Sequence, residues 1–231
     1  MLEIREIIRA SSQGVTVPVL CKGDDGALYW CKGDQAGLAS CRNEWVCGCL
    51  AKALNLSIPK FDIAKVPWEL FVAWRNLAVD VPPLIKESNP YVFASRHVED
   101  AKDIVSVREI KDVDESDQVK IFLFDEFIRN VDRTDSNSNL LVTAAKRWYV
   151  IDHNSSYAEN FDRPSFVSDH LFKNSIHGEA YRGKDAFLKQ IKEVFTVDFL
   201  ESVWSEMPNS WVSDDAAEAH KERILKTIHG E

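Results

Sequence analysis

Residues 124–153 read FDEFIRNVDRTDSNSNLLVTAAKRWYVIDH, a segment that places an acid, an amide and a second acid around a pair of apolar runs. Its first apolar residues recur at the spacing of one helix face, which predicts a helix that ends at Asp132. Residues 140–143 and 148–151 are rich in β-formers and predict a hairpin. This hairpin would bring Asp152 back beside Asp132 and Asn137.

These three side chains are the groups that a phosphoryl-transfer site needs. An acid such as Asp132 can orient an attacking hydroxyl and accept its proton, while Asn137 and Asp152 offer oxygen ligands to Mg²⁺. An Asp- and Asn-rich segment is also typical of a solvated loop whose side chains bind their own backbone. The preceding helix and the acid at the end of the hairpin favour the phosphoryl-transfer interpretation.

Bulk composition sets the outer limits. A chain of 231 residues with 45% hydrophobic content and seven Trp can bury a substantial core, as one domain or two small lobes. The net charge of −9 argues against a nucleic-acid surface. No apolar run is long enough to span a membrane, and the first residues carry no signal-peptide pattern, so we expect a cytoplasmic protein.

The five cysteines all lie between residues 21 and 49. An odd number of cysteines in a chain expected to be cytoplasmic indicates that they form no disulfide framework. A zinc site is the alternative, but Cys47 and Cys49 lie two positions apart on a predicted helix and so do not share a face. We expect these cysteines to act as small buried apolar residues.

The first third of the chain predicts a three-stranded antiparallel sheet. Its strands are residues 2–10, whose spacing also permits a short helix, 15–22 and 27–32, the last two joined by a turn at 23–26. The loop at 11–15 could lay backbone N–H groups over phosphates, or it could be an ordinary turn.

A helix is predicted at residues 42–54, directly after this sheet. Lys32 ends the third strand and Glu44 lies in the first turn of the helix. This is the arrangement in which an ion pair positions a lysine on nucleotide phosphates, although two surface charges would look the same in sequence.

The remaining segments are read as structural elements. Residues 91–95 predict either a buried strand or a hinge whose backbone contacts a nucleobase, and Trp204, Met207 and Trp211 predict core packing. His153 is read as a brace or as a catalytic group, and the other histidines are assigned no chemistry. A further strand is predicted at 58–66, and helices are predicted at 165–172, 184–195, 196–206 and 216–228.

Several short segments carry a resemblance to a known family. They are YWCK at 29–32, NEWV at 43–46, YVFASR at 91–96, NVDRT at 130–134 with Asn137 and Asn139, and IDH at 151–153. The central pattern, N-x-D-R-T-x-x-N-x-N-L-L followed by I-D-H, is fairly specific. Together these motifs resemble the HipA-like kinase family, which is distantly related to protein kinases and phosphatidylinositol kinases. The chain departs from the family at Asn154 and Ala94, where glycine is frequent.

The resemblance implies an α+β, small two-lobed protein-kinase-like fold. Residues 1–95 would form a lobe of antiparallel sheet plus helix, and residues 96–231 a mainly helical lobe. ATP and Mg²⁺ would bind between the lobes, and the γ-phosphate would pass to a hydroxyl, with Ser or Thr of a protein as the favoured acceptor.

The resemblance also implies a role for individual residues. Lys32 would bind the α- and β-phosphates with Glu44 orienting it, and Asp132 would be the catalytic base. Asn137 and Asp152 would hold the metal. The residues expected to contact ATP are Ser11, Ser12, Gln13, Gly14, Lys32, Phe93, Ala94 and Ser95.

Other interpretations stay open from the sequence. The chain could be a catalytically inactive nucleotide-binding or interaction module, or a kinase for a small molecule or lipid. A metal-dependent phosphohydrolase would use Asp132, Asp135, Asp152 and His153 and would leave Lys32 and Glu44 without a role. Asn139 could bind metal or brace the loop, and Ser11 or Ser12 could be self-phosphorylated.

Overall fold

The computed structural model describes residues 1–12, 16–77, 81–103, 110 and 113–230, which form a mixed α+β structure. Five of its strands form a closed barrel in the order β1, β2, β3, β5, β4. The strands are β1 (Leu2–Ala10), β2 (Val19–Gly23), β3 (Leu28–Lys32), β4 (Phe61–Lys65) and β5 (Tyr91–Arg96).

The barrel is closed by a parallel pairing of β1 with β4, in which Leu2 faces Ala64 and Glu3 faces Lys65. The predicted antiparallel arrangement of β1, β2 and β3 is confirmed by their registers. The parallel closure was not predicted, because its two strands are far apart in sequence and no turn signal links them.

Helix α1 (Leu38–Ala53) follows β3 after a short 3₁₀ turn at Asp34–Ala36. It begins four residues before the predicted start at Arg42. The preceding residue, Gly37, has φ of 82° and provides no side-chain cap, so the sequence lacks the Ser, Thr or Asp signal that usually marks a helix start. Within the helix, a Cβ on Gly48 would lie 2.9 Å from the ring of Phe61, so glycine lets β4 approach α1.

A second sheet has the strand order β6, β7, β8. Its strands β7 (Leu140–Thr143) and β8 (Trp148–Val150) confirm the predicted hairpin, and β6 (Ala101–Asp103) adds an edge that was not predicted. The other α-helices within the described residues are α2 (Trp68–Arg75), α3 (Glu115–Phe127), α4 (Arg163–Asp169), α5 (Lys184–Val194), α6 (Val197–Ser205), α7 (Asn209–Val212) and α8 (Asp215–His229).

Helix α3 ends earlier than the apolar pattern predicted. Its C-cap is Ile128, and Arg129 then takes a left-handed backbone with φ of 55°, so the helix stops well before Asp132. Val131, which had been counted on the apolar face, is 46% exposed. Asp132 therefore lies in a loop rather than at the end of the helix.

Among the described residues, two groups of buried apolar side chains form the core. One fills the barrel and the face of α2, and the other joins α1 to α3 and to the helices of the second half. Trp204, Met207 and Trp211 belong to the second group, which confirms their predicted packing role. The division of the chain into lobes at residues 95 and 96 stays a prediction.

The five cysteines are free, and all of them except the half-buried Cys49 are buried. Burial raises the pKa of Cys41 and of Cys47 to about 12, so these thiols are protonated at neutral pH and pack as small apolar groups. Among the residues that the structure describes, no helix has the length and apolar character needed to cross a membrane.

Candidate active site

A cleft of about 980 Å³ collects most of the side chains singled out from the sequence. The barrel and α1 contribute one wall, and the loop and strand ends between residues 132 and 154 contribute the other. The predicted chemical groups that line it are Lys32, Glu44, Asp132, Asn137, Asn139, Asp152 and His153.

Lys32 lies between two carboxylates. Its Nζ donates to Glu44 Oε1 at 2.6 Å and to Asp152 Oδ1 at 2.7 Å. Burial lowers the pKa of Lys32, but the negative charges of Glu44 and Asp152 more than offset this and hold it above the ordinary value. The lysine is therefore fully charged at neutral pH and is fixed at the end of β3.

The second carboxylate oxygen of Glu44 binds the segment that follows Asp152. The backbone N–H of His153 donates to Glu44 Oε2 at 3.1 Å, and the imidazole Nδ1 lies 3.6 Å from the same oxygen. The ring of His153 packs edge-on against Phe124, with 5.8 Å between centroids. These contacts match the bracing role that was one of the two predicted for His153.

Asp132 is held by amides of its own loop. The Nδ2 of Asn137 donates to the backbone oxygen of Asp132 at 3.2 Å, and Asn139 Nδ2 lies 3.5 Å from Asp132 Oδ2. Asn139 and Asp152 both adopt left-handed backbone angles, with φ of 47° and 60°. Such angles cost free energy for residues other than glycine and persist where surrounding contacts hold them.

A buried network below this loop was missed by the sequence interpretation. Arg133 Nε donates to Asp125 Oδ2 at 2.6 Å, and both side chains are fully buried. Asn130 Nδ2 donates to Asp125 Oδ1 at 2.9 Å, and His170 Nε2 lies 3.1 Å from Asp125 Oδ2. Burial raises the pKa of Asp125, but the positive charge of Arg133 outweighs it and leaves the pKa well below the ordinary value.

Arg133 connects this network to both halves of the site. Its Nη1 donates to the carbonyl oxygens of Ser138 at 3.2 Å, Asn139 at 2.5 Å and Ile151 at 3.4 Å. The first two carbonyls belong to the Asp132 loop, and the third directly precedes Asp152. One buried guanidinium therefore fixes the distance between the two candidate acids.

The state of His170 leads to a prediction about acid stability. Burial lowers the pKa of His170 below 6.5, and the backbone N–H of Phe172 donates to its Nδ1 at 3.0 Å, so the ring is neutral in the fold. Because the unfolded chain takes up this proton below about pH 6.5 and the folded chain resists it, stability should fall as pH drops, by up to about 1.4 kcal/mol per pH unit.

Urea unfolding of the wild type and of His170→Asn between pH 7 and pH 4 will measure this dependence. The asparagine variant can still donate to Asp125 but cannot titrate, so its free energy of unfolding should depend less on pH. Equal slopes for the two proteins would show that His170 does not contribute.

Comparison with known proteins places this site in a family. The family model described as HipA-like kinase matches residues 4–230. The chain belongs to the HipA-like kinase family. Among solved structures, it is similar to the Helicobacter pylori proinflammatory kinase CtkA, with a TM-score of 0.51 and 11% sequence identity over 98% of this chain and 93% of that one. That likeness supports a kinase-like fold. A search of curated proteins found no match.

The residues predicted to contact ATP in this HipA-like kinase are not equally placed. Ser11, Phe93 and Ser95 line the cleft together with Lys32, and Ser12 is exposed outside the lining. Gln13 and Gly14 lie outside the described residues. Ala94 is fully buried in the barrel core and does not line the cleft.

The backbone of β5 is already used by the barrel. Its residues pair with β3 on one side and β4 on the other, and the N–H groups of Arg96 and His97 donate to Lys60 and Leu28 carbonyls. The backbone of residues 93–95 is therefore engaged in sheet pairing on both sides.

The donor set of the cleft suits a magnesium ion shared with phosphates. Among the described residues, no group of three or more His, Cys, Asp and Glu side chains is placed to hold a metal alone. Mg²⁺ is usually held by one or two protein carboxylates together with phosphate oxygens and water. Asp152, whose Oδ1 faces Lys32, and the amide oxygen of Asn137 fit that demand.

The same contacts disfavour a phosphohydrolase. Asp135, one of its required acids, forms an ion pair with Lys173 at 2.6 Å. Lys32 and Glu44, which such an enzyme would not use, line the cleft in direct contact with each other. The arrangement therefore fits phosphate transfer from a nucleotide better than metal-only hydrolysis.

Proposed function

We propose that this HipA-like kinase is an ATP- and Mg²⁺-dependent enzyme that transfers the γ-phosphate to a hydroxyl, with Ser or Thr of a protein as the acceptor. The observation that carries the proposal is the position of Lys32, 2.6 Å from Glu44 and 2.7 Å from Asp152 in the cleft that also contains Asp132. A lysine, its orienting glutamate and a metal-binding acid are the parts that hold a nucleoside triphosphate in kinases.

The cleft combines cations that can bind phosphate oxygens with acids that can hold a metal. It is lined by the basic residues Arg9, Lys32, Arg96 and Lys102 and by the acidic residues Glu44, Asp103, Asp132, Asp135 and Asp152. Lys32 would bind phosphate oxygens while Glu44 keeps its ammonium group in place. Bound Mg²⁺, held by Asp152 and Asn137, would neutralise phosphate charge during transfer.

Asp132 would orient the acceptor hydroxyl and accept its proton. It is half-buried and lines the cleft, and the amides of Asn137 and Asn139 hold it from the same loop. We assign Asn139 to orientation of Asp132, because its amide nitrogen faces the carboxylate. Catalysis would then depend on preorganised contacts rather than on movement of the loop.

A non-catalytic module with the same fold is the second candidate. Such a protein would keep the nucleotide contacts and lose the transfer step. A thermal-shift titration with ATP and Mg²⁺, combined with a measurement of ADP release or labelled phosphate on an acceptor, separates the two. Binding without any transfer to protein, small-molecule or lipid hydroxyls would favour the module.

Asp152→Asn tests the metal assignment. Removing one carboxylate charge should weaken Mg²⁺-dependent ATP binding by at least about tenfold, since groups that hold or support a bound metal typically contribute that much. Calorimetric titration with and without Mg²⁺ will measure the effect, and Asp135→Asn, a change of the same kind in the neighbouring loop, serves as the control. Unchanged Mg²⁺ dependence in Asp152→Asn would exclude Asp152 as a metal ligand.

A further inference from the structure

Helix α1 is fastened to the C-terminal helices on both sides of Glu44. Arg42 donates to the carbonyl of Trp211 at 2.6 Å, and Trp45 Nε1 donates to the carbonyl of Val203 at 2.9 Å. Between them, the side chain of Asn43 lies 2.7 Å from His220 on α8. The segment that orients Lys32 is therefore held by the end of the chain, which the sequence interpretation treated as scaffold.

Asn43 also contacts the segment that follows Asp152. Its Nδ2 donates to the carbonyl of Asn154 at 2.8 Å and to the carbonyl of Ser156 at 3.0 Å. Both hydrogens of the amide are thus used on this segment, while the amide oxygen faces His220. Asn43 joins three parts of the molecule that are distant in sequence.

His220 determines which way the amide of Asn43 points. Burial, together with the nearby positive charges of Arg42 and Arg223, lowers the pKa of His220 to about 3, so the ring is neutral at neutral pH. Arg42 Nε donates to His220 Nδ1 at 3.4 Å, which places the ring proton on Nε2. That Nε2–H donates to Asn43 Oδ1, so the Nδ2 of Asn43 must face Asn154 and Ser156.

The segment that Asn43 holds begins at a residue with an unfavourable backbone. Asp152 has φ of 60°, a conformation that needs support from its surroundings. Glu44 supports it through the N–H of His153, and Asn43 supports it through the two carbonyls that follow. The adjacent residues Asn43 and Glu44 of α1 therefore bind one backbone N–H and two backbone carbonyls in the segment directly after Asp152, the candidate metal ligand.

We propose that Asn43 is a positioning residue that holds the segment after Asp152 in its metal-binding conformation, and that His220 orients Asn43 for this task. The C-terminal helix α8 is then part of the machinery that presents Asp152. The reference to metal rests on the proposed kinase function, whereas the order of residues 153–157 does not depend on it.

Two measurements on the full chain test this proposal. The first is hydrogen exchange of the amides of residues 153–157 in the nucleotide-free protein, where His153 donates to Glu44 and Tyr157 donates to the carbonyl of Ile128. The second is the Mg²⁺ concentration that gives half-maximal ATP binding. A purely structural role would lower thermal stability without changing either quantity selectively.

The variants are chosen to separate these roles. Asn43→Ala removes the contacts to both carbonyls. His220→Leu leaves those contacts but removes the group that orients Asn43, together with the acceptor for Arg42 Nε. His220→Gln keeps a donor and should rescue the leucine defect. Trp45→Phe is the matched control, because it removes a hydrogen bond of α1 to the same C-terminal region without touching the segment after Asp152.

We expect Asn43→Ala to speed exchange at residues 153–157 and to raise the required Mg²⁺ concentration about tenfold. His220→Leu should show the same changes in smaller degree, and His220→Gln and Trp45→Phe should resemble the wild type. Unchanged exchange in Asn43→Ala, or equal changes in Trp45→Phe, would overturn the proposal. If Asn43→Ala does not fold, the comparison of His220→Leu with His220→Gln tests the proposal instead. Equal exchange and equal Mg²⁺ requirement in these two variants would count against the proposal.

Different results would refute the proposed kinase function and the proposed role of Asn43. A wild-type protein that does not bind ATP with Mg²⁺ would refute the kinase assignment, and the exchange measurements would still show whether Asn43 orders residues 153–157.

Discussion

Replacing Asp132 with Asn should reduce phosphate transfer by about 100- to 10,000-fold, the range that a positioned general base contributes. Asparagine keeps the shape of the side chain and its neighbours Asn137 and Asn139, but it cannot accept the hydroxyl proton. ATP and Mg²⁺ binding should stay close to that of the wild type, because Lys32 and Asp152 are untouched. Single-turnover transfer and calorimetric ATP binding will measure the two quantities separately.

The control for this variant is Asp135→Asn. Asp135 lies three positions further along the same loop and lines the same cleft. Its exposed carboxylate forms an ion pair with Lys173. It should retain transfer activity near that of the wild type. Near-normal transfer by Asp132→Asn would refute the assignment of Asp132 as the base. A severe loss of transfer activity in Asp135→Asn would instead favour the phosphohydrolase interpretation.

The elements that the sequence predicted well are those with a local signal. The turn at 23–26 and the β-rich runs around it predicted β2 and β3, and the runs at 140–143 and 148–151 predicted β7 and β8. Lys32 is the last residue of β3, and Asp152 follows β8 by two residues. The sequence predicted both residues for one site, whereas their direct 2.7 Å contact was not predicted.

Element boundaries were less predictable where the boundary has no side-chain signal. Helix α1 starts after Gly37, which caps nothing with its side chain, and the sequence therefore suggested a later start at Arg42. Helix α3 stops at a left-handed Arg129, although apolar residues continue to Val131 at helical spacing. Backbone conformation decided both cases, and periodicity alone does not report it.

The groups that brace the site were the least visible in sequence. Asn43 and His220 are 177 positions apart, and nothing local in either region indicates their contact. Asp125 offered a weak signal, since it directly follows the apolar residues 121–124 of α3 and a buried arginine needs such a partner. The histidines at 170 and 220 show no ligand spacing because their partners come from other elements.

The buried pair of Asp125 and Arg133 should have the largest effect on stability. Asp125→Ala would leave the guanidinium of Arg133 charged, buried and without its main partner, which typically costs about 3 to 5 kcal/mol of unfolding free energy. The loss should also reach the site, since Arg133 binds the carbonyls of Asn139 and Ile151 on either side of the two acids. Denaturant unfolding monitored by tryptophan fluorescence will measure it.

The next residue supplies a matched control. Glu126 lies on the same helix and pairs with Arg163, but that arginine is 58% exposed, so Glu126→Ala should cost no more than about 1 kcal/mol. Each alanine variant removes one acid, and the two positions are adjacent on the same helix. The change in intrinsic helix propensity is similar for the two substitutions, so it does not account for a large difference in stability. If both variants lost the same free energy, burial of the Asp125 and Arg133 pair would not be what stabilises this loop. A large difference between them would assign the stabilising effect to the buried pair of Asp125 and Arg133, whose guanidinium also binds the carbonyls of Asn139 and Ile151.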